Sequence, residues 1–98
     1  MEDFKSKLKC RELDYFFKAI LALETQEECY RFFEDVSTIT EIKALSQRLQ
    51  VAKMLNDKKT YIEIASITGA STATISRVNR ALTYGSEGYN LILEKIDK

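Results

Sequence analysis

The chain has 98 residues, with fifteen basic and fifteen acidic side chains, two cysteines and neither histidine nor proline. A chain this short forms one small domain and buries only about 60 to 65% of the surface its unfolded form exposes, so marginal stability in isolation is expected. Without histidine there is no Ser-His-Asp or Cys-His arrangement, which argues against an enzyme. Cys10 and Cys29 give neither a metal-ligand spacing nor a disulfide framework and fit reduced thiols in a cytoplasmic protein.

With 45% hydrophobic residues, three glycines and nothing that breaks a helix strongly, the composition predicts an all-α domain of about six helices. The first residues, Met1 to Lys9, form a charged arm expected to fray. Their scattered charges do not make a signal peptide. The longest apolar-rich run, Tyr15 to Leu23, contains Lys18 and falls short of the ~20 residues that span a bilayer. No membrane partner is expected.

The spacing predicts a first helix over about Cys10 to Glu24, with Leu13, Phe16, Phe17, Ile20, Leu21 and Leu23 making more than half its circumference apolar. Thr25 with Glu28 is a capping box that starts a second helix running to about Val36, packed through Cys29, Tyr30, Phe32, Phe33 and Val36. Thr38 with Glu41 is another candidate box. It opens the longest helix, about Ile39 to Asn56, with Ile42, Leu45, Leu49, Ala52 and Met54 or Leu55 on the inner side. Gln47, Arg48, Gln50 and Lys53 lie elsewhere on that helix. Two such apolar helices at the start of so short a chain ask for a covering surface. A second copy supplies it most simply, and a two-fold homodimer would place two recognition elements about 34 Å apart. A compact monomer whose helices cover each other is the alternative.

After Asp57-Lys58-Lys59, the stretch Tyr61 to Leu82 predicts a helix-turn-helix. Thr60 and Glu63 form a T-x-x-E capping box. Ala65 supplies the small side chain that steeply crossed helices need, and Gly69 closes the first helix in the left-handed conformation. Ile75, Val78 and Leu82 then recur at three- and four-residue spacing, giving a second helix over about residues 71–82 whose apolar stripe packs on Ile64 and Ala65. The opposite face carries Ser71, Thr72, Ala73, Ser76, Arg77 and Arg80: short side chains that let backbone approach closely, and arginines suited to phosphate and guanine edges. Each feature alone would fit an ordinary αα-corner with capping hydroxyls and solvated arginines; together, at these offsets, they point to double-stranded DNA.

Charge distribution agrees with that placement. Residues 1–57 carry nine basic and eleven acidic groups, a net −2, whereas 58–84 carry Lys58, Lys59, Arg77 and Arg80 against Glu63 alone, a net +3. The tail from Gly85 to Lys98 nets −1. Lys58 and Lys59 therefore join the candidate DNA-binding residues, and a lone domain is expected to bind weakly. Thr83 to Gly88 predicts a turn, and Tyr89 to about Ile96 a last helix with Leu91, Ile92, Leu93 and Ile96 apolar. The Gly85-Ser86-Glu87-Gly88 spacing follows no strand and has no lysine, so it is a turn and not a phosphate cradle. The carboxylates Glu27-Glu28 and Glu34-Asp35 fit the solvated face of the second helix better than an acid/base pair. The expected organisation is one domain, with residues 1–56 for dimerisation and core, 57–84 for the helix-turn-helix and 85–98 for the last helix.

In order, RLQVAKML (Arg48 to Leu55), TYIEIASITG (Thr60 to Gly69) and ASTATISRVNRAL (Ala70 to Leu82) resemble the Trp repressor family, in particular its YerC/YecD-like branch of short bacterial proteins. The resemblance runs from about Leu23 to Tyr89, and GASTATISRVNR is its most specific part. It implies a six-helix, intertwined homodimer that binds operator DNA as a transcriptional regulator, with an amino-acid corepressor in the tryptophan-responsive members. Arg48 and Arg77 fall where that repressor's arginines flank the indole ring, and Thr74 matches a ligand-side threonine. Val78 stands where the repressor has the glycine that makes room for the ring. A valine there restores a filled core, so the effector pocket of Arg48, Thr74, Arg77 and Val78 is expected to be closed to tryptophan, and no cofactor is expected. Arg48 and Arg77 are left for ion pairs or phosphate. Two other readings stay open: a protein-interaction adaptor using the same helical faces, favoured by the zero net charge, and a regulator gated by another small ligand.

Overall fold

The computed structural model describes residues 4–97 as six α-helices, with no strand among them. Met1 to Asp3 of the charged arm and Lys98 of the tail lie outside the described residues. The rest of the arm has a turn in which the Leu8 N–H donates to Ser6 Oγ at 2.9 Å, and Lys9 pairs with Asp14 at 2.7 Å. The chain divides into two compact units, Met1–Thr38 and Ile39–Lys98.

The first unit holds α1 (Arg11–Leu21) and α2 (Gln26–Val36). The first helix ends three residues before the expected Glu24. The Ala22 and Leu23 N–H groups donate to the Ala19 and Ile20 carbonyls, tightening the last turn in 3₁₀ fashion. The cause lies downstream: Thr25 must adopt extended backbone, φ −135° and ψ 162°, to cap α2, so the chain turns before it. Cys10, expected inside the helix, caps it instead, accepting from the Leu13 N–H through Sγ at 3.5 Å. In α1, Leu13, Phe16, Phe17, Ile20 and Leu21 gather on one side, so the helix is amphipathic.

In α2 the Glu28 N–H donates to Thr25 Oγ1 at 3.1 Å, but the Glu28 carboxylate accepts from Glu24 N–H, one residue before the position a reciprocal box requires. Phe16, Phe17, Phe32 and Phe33 form a chain of ring contacts with centroids 5.2 to 5.9 Å apart. Even so, neither helix contains a single buried residue.

The second unit contains α3 (Ile39–Asn56), α4 (Tyr61–Thr68), α5 (Thr72–Tyr84) and α6 (Gly88–Ile96). Its core is Val51, Ala52, Ile64, Ala70, Ile75, Val78 and Leu93, with Leu49, Met54, Leu55, Ala65, Leu82 and Tyr89 packed around it. The long α3 is the backbone of the unit, touching each of the other three helices. Its bounds match the sequence expectation, and so does most of its inner side: Ala52 is buried and Leu49, Met54 and Leu55 pack on the core, but Leu45 is half exposed and Val51, which was not expected there, is fully buried. Apolar residues are spread around α3, so spacing alone does not mark one buried stripe.

The α4 capping box is complete, with Thr60 Oγ1 accepting from Glu63 N–H and the Glu63 carboxylate accepting from Thr60 N–H. Gly69 ends the helix at φ 74°, its N–H donating to the Ala65 carbonyl at 2.9 Å. Thr83 and Tyr84, expected in a turn, extend α5, and Gly85 caps it where an added Cβ would strike the Ala81 carbonyl. Gly88, also expected in the turn, is the first residue of α6. No helix among the described residues is long and apolar enough to cross a membrane.

Candidate nucleic-acid interface

The helix-turn-helix is held from three directions. Gln47 on α3 donates from Nε2 to the Thr68 carbonyl at 3.1 Å, and Thr68 Oγ1 donates to the Ile64 carbonyl at 2.7 Å while accepting from the Ala70 N–H. Ala70 itself is buried in the core, so the turn between α4 and α5 is anchored by packing as well as by hydrogen bonds. Sequence reasoning missed both Gln47 and Ala70, because a polar side chain on a long helix and an alanine in a loop carry no periodic signal.

That anchoring fixes which face α5 presents. Ile75 and Val78 are 0% and 1% exposed. At 100° per residue, Ala73, Ser76, Arg77 and Arg80 fall roughly 100° to 200° from Ile75, on the far side, and all four are exposed. Thr72 is exposed nearer the flank. Ser71 lies outside the helix as its N-cap: Oγ accepts from the Thr74 N–H at 3.1 Å and lies 3.1 Å from Thr74 Oγ1. Part of its hydrogen-bonding capacity is therefore used within the fold. Tyr84, 83% exposed, falls on the same far side as the arginines, a consequence of α5 running past Leu82.

Lys58 and Lys59 sit in the loop between α3 and α4, both exposed. Among the described residues, none of Lys58, Lys59, Arg48, Arg77 and Arg80 makes an ion pair, so the alternative of ion pairs for Arg48 and Arg77 does not hold there. Four cations without carboxylate partners, Lys58, Lys59, Arg77 and Arg80, are thus presented on the part of the unit with excess positive charge. Such groups can meet phosphate oxygens without first breaking an internal pair.

Arg48 and Thr74 are half-buried, Arg77 is exposed, and Val78 is packed with Val51, Ala52, Ile64 and Ile75. A groove of about 350 Å³ runs between the C-terminal part of α3 and α6, lined by Lys53, Asn56, Asp57, Asn90, Leu93, Glu94 and Asp97; none of the four expected effector-pocket residues lines it. Cys10 and Cys29 are exposed free thiols.

The profile of the family described as Trp repressor protein matches residues 11–97. The uncharacterized protein YerC of Bacillus subtilis (strain 168) is 54% identical over 90 residues, covering 92% of this chain and 86% of its own. Two solved structures are similar throughout. A candidate Trp repressor of Staphylococcus aureus has a TM-score of 0.89 at 54% identity, covering 93% of this chain and 91% of its own. A TrpR-like protein of Eubacterium eligens ATCC 27750 has a TM-score of 0.90 at 56% identity, covering 93% and 94%.

Proposed function

The chain belongs to the Trp repressor family, and from that membership we propose that it is a dimeric, sequence-specific DNA-binding transcriptional regulator, acting on double-stranded DNA in the cytoplasm. One observation carries this reading: the outer face of the helix after the glycine hinge presents Ala73, Ser76, Arg77 and Arg80, exposed and without ion pairs among the described residues. Small side chains at the N-terminal half let α5 enter a major groove, and arginines further along meet phosphate or guanine edges. Lys58 and Lys59 add phosphate contacts from the preceding loop.

Selection of binding sites from random duplexes, followed by titration over a salt series, tests the proposal. Arg77→Ala with Arg80→Ala should weaken binding and flatten the dependence of log affinity on log salt by up to about 1.8 per half-site, since each phosphate contact contributes about 0.9. Unchanged affinity and slope would show that the wrong face was assigned. No retardation of any duplex at low salt, with a stable protein partner, would favour the adaptor reading.

The regulator does not respond to tryptophan in this proposal. Support comes from Val78, which is 1% exposed and occupies core volume beside Val51 and Ile75. Calorimetric titration with L-tryptophan should give no saturable heat at millimolar ligand, and a micromolar dissociation constant would refute this part alone. Whether another metabolite gates the protein is addressed by thermal shifts against a panel, because a ligand that binds the folded state raises its melting temperature.

A further inference from the structure

The segment bearing Lys58 and Lys59 is closed by a Schellman arrangement. The Lys58 N–H donates to the Leu55 carbonyl and the Lys59 N–H to the Met54 carbonyl, both at 3.0 Å, with Lys58 at φ 65° in the left-handed position that glycine usually fills. Immediately before it in the chain stands Asp57, which lines the groove between α3 and α6 together with Glu94 and Asp97. Of these three carboxylates, Asp57 is the one that adjoins the two lysines that would face phosphate. Lys53 is the one cation lining that groove. Its Nζ lies 3.1 Å from Asp57 Oδ1 and 3.3 Å from Asp97 Oδ2.

We propose that Lys53 is a positioning residue for the DNA-facing loop: it holds the Asp57 carboxylate back along α3, so that Lys58 and Lys59 meet the phosphate backbone free of an adjacent anion. The inference rests on the DNA-binding reading of the same unit.

Geometry and charge support it together. Lys53 and Asp57 are one helical turn apart, so the pair draws the carboxylate toward the body of α3 and away from the loop. Hydrogen bonds that Lys53 donates to Asp57 first, and Asp97 next, hold its ammonium above its ordinary range, so it stays charged wherever the protein is folded near neutrality. The pair is about half exposed and contributes little to folding, which separates its effect on binding from its effect on stability. Released, the Asp57 carboxylate either pairs with Lys58 or Lys59 or repels phosphate, and in both cases fewer counterions leave the duplex on binding.

The test compares wild type, Lys53→Met, Lys53→Arg, Asp57→Asn and the double variant Lys53→Met with Asp57→Asn on one selected duplex over a salt series, with thermal melts alongside. Lys53→Met should lose about threefold to tenfold in affinity at low salt and show a shallower salt slope, with its melting temperature nearly unchanged. Lys53→Arg should bind as wild type does, and Asp57→Asn should restore binding in the Lys53→Met background. If Lys53→Met does not fold, Asp57→Asn alone still decides, since removing that carboxylate should leave affinity unchanged or raise it up to about threefold, and a loss would refute the inference. It also fails if Lys53→Met matches wild type, or if the double variant is no better than Lys53→Met. Wild type that binds no duplex removes the DNA-binding reading and this inference with it. Binding that is lost in Arg77→Ala with Arg80→Ala but kept in Lys53→Met removes this inference alone.

Discussion

Lys58 is where folding and the proposed binding pull in opposite directions. A non-glycine residue at φ 65° costs on the order of 1 kcal/mol, yet the same position projects a lysine beside the helix-turn-helix. Lys58→Gly should therefore stabilise the fold by roughly 0.5 to 1 kcal/mol in denaturant unfolding, while weakening duplex binding and reducing its salt slope by about 0.9 per half-site. The two glycines that end helices behave differently from each other. Gly69 has open space around an added Cβ, so Gly69→Ala should cost only the left-handed penalty of about 1 kcal/mol. At Gly85 the added Cβ meets the Ala81 carbonyl of the preceding turn, backbone that cannot swing aside, and Gly85→Ala should cost roughly 2 to 3 kcal/mol. Equal losses at the two sites would contradict that distinction. At this scale the sequence was readable where a residue type is tied to one conformation or one stripe, as for Gly69, Ile75 and Val78. Lys58 in a glycine position, Val51 on an α3 that is apolar on several sides, and the pairing of Lys53 with Asp97, distant in sequence, gave no such mark.

Helix starts were legible where a side-chain cap marks them, and the ends of α2, α3, α4 and α6 fell as expected, but those of α1 and α5 did not, for a physical reason. A side-chain cap is written in local sequence, so Thr25, Thr60 and the hydroxyl run at Ser71 located the beginnings of α2, α4 and α5. An end depends on what the chain must do next: α1 stops early so that Thr25 can be extended, and α5 continues through Thr83, whose Oγ1 donates to the Asn79 carbonyl at 3.1 Å. The caps also separate folding from the DNA-facing role. Thr60→Ala removes the hydroxyl arm of a complete box, leaving the Thr60 N–H donation to Glu63, and should destabilise by about 1 kcal/mol without touching the outer face of α5. Ser71→Ala should cost a similar ~1 kcal/mol through its cap, so a loss of DNA affinity in that variant must be judged against its unfolding curve. Ser76, exposed and outside the capping network, is the cleaner probe of contact.

Across the whole molecule, the two units differ in what they bury. The second has a seven-residue core, whereas α1 and α2 have no buried residue and leave Tyr15 75%, Leu21 84% and Tyr30 69% exposed. Large apolar side chains so exposed on adjacent helices mark a contact surface in a soluble protein. The proposed homodimer supplies the contact, and Leu21→Glu tests it with opposite expectations for dimer and monomer. On a monomer the substitution changes a solvated position and should stay within about 0.5 kcal/mol of wild type. If the second copy covers Leu21, the variant buries an unpaired carboxylate at the interface, so sedimentation should show dissociation and the melting temperature should drop. The wild-type melting temperature should also rise with protein concentration, because folding and association are then linked. Dimerisation would also govern the proposed activity, since phosphate contacts multiply when two recognition helices engage one duplex. Leu21→Glu with α5 intact should therefore lose most of its affinity for a palindromic site and fall to the weak binding of a single half-site. A folded variant that stays dimeric and binds as tightly as wild type would exclude the Leu21 face of α1 from the dimer contact.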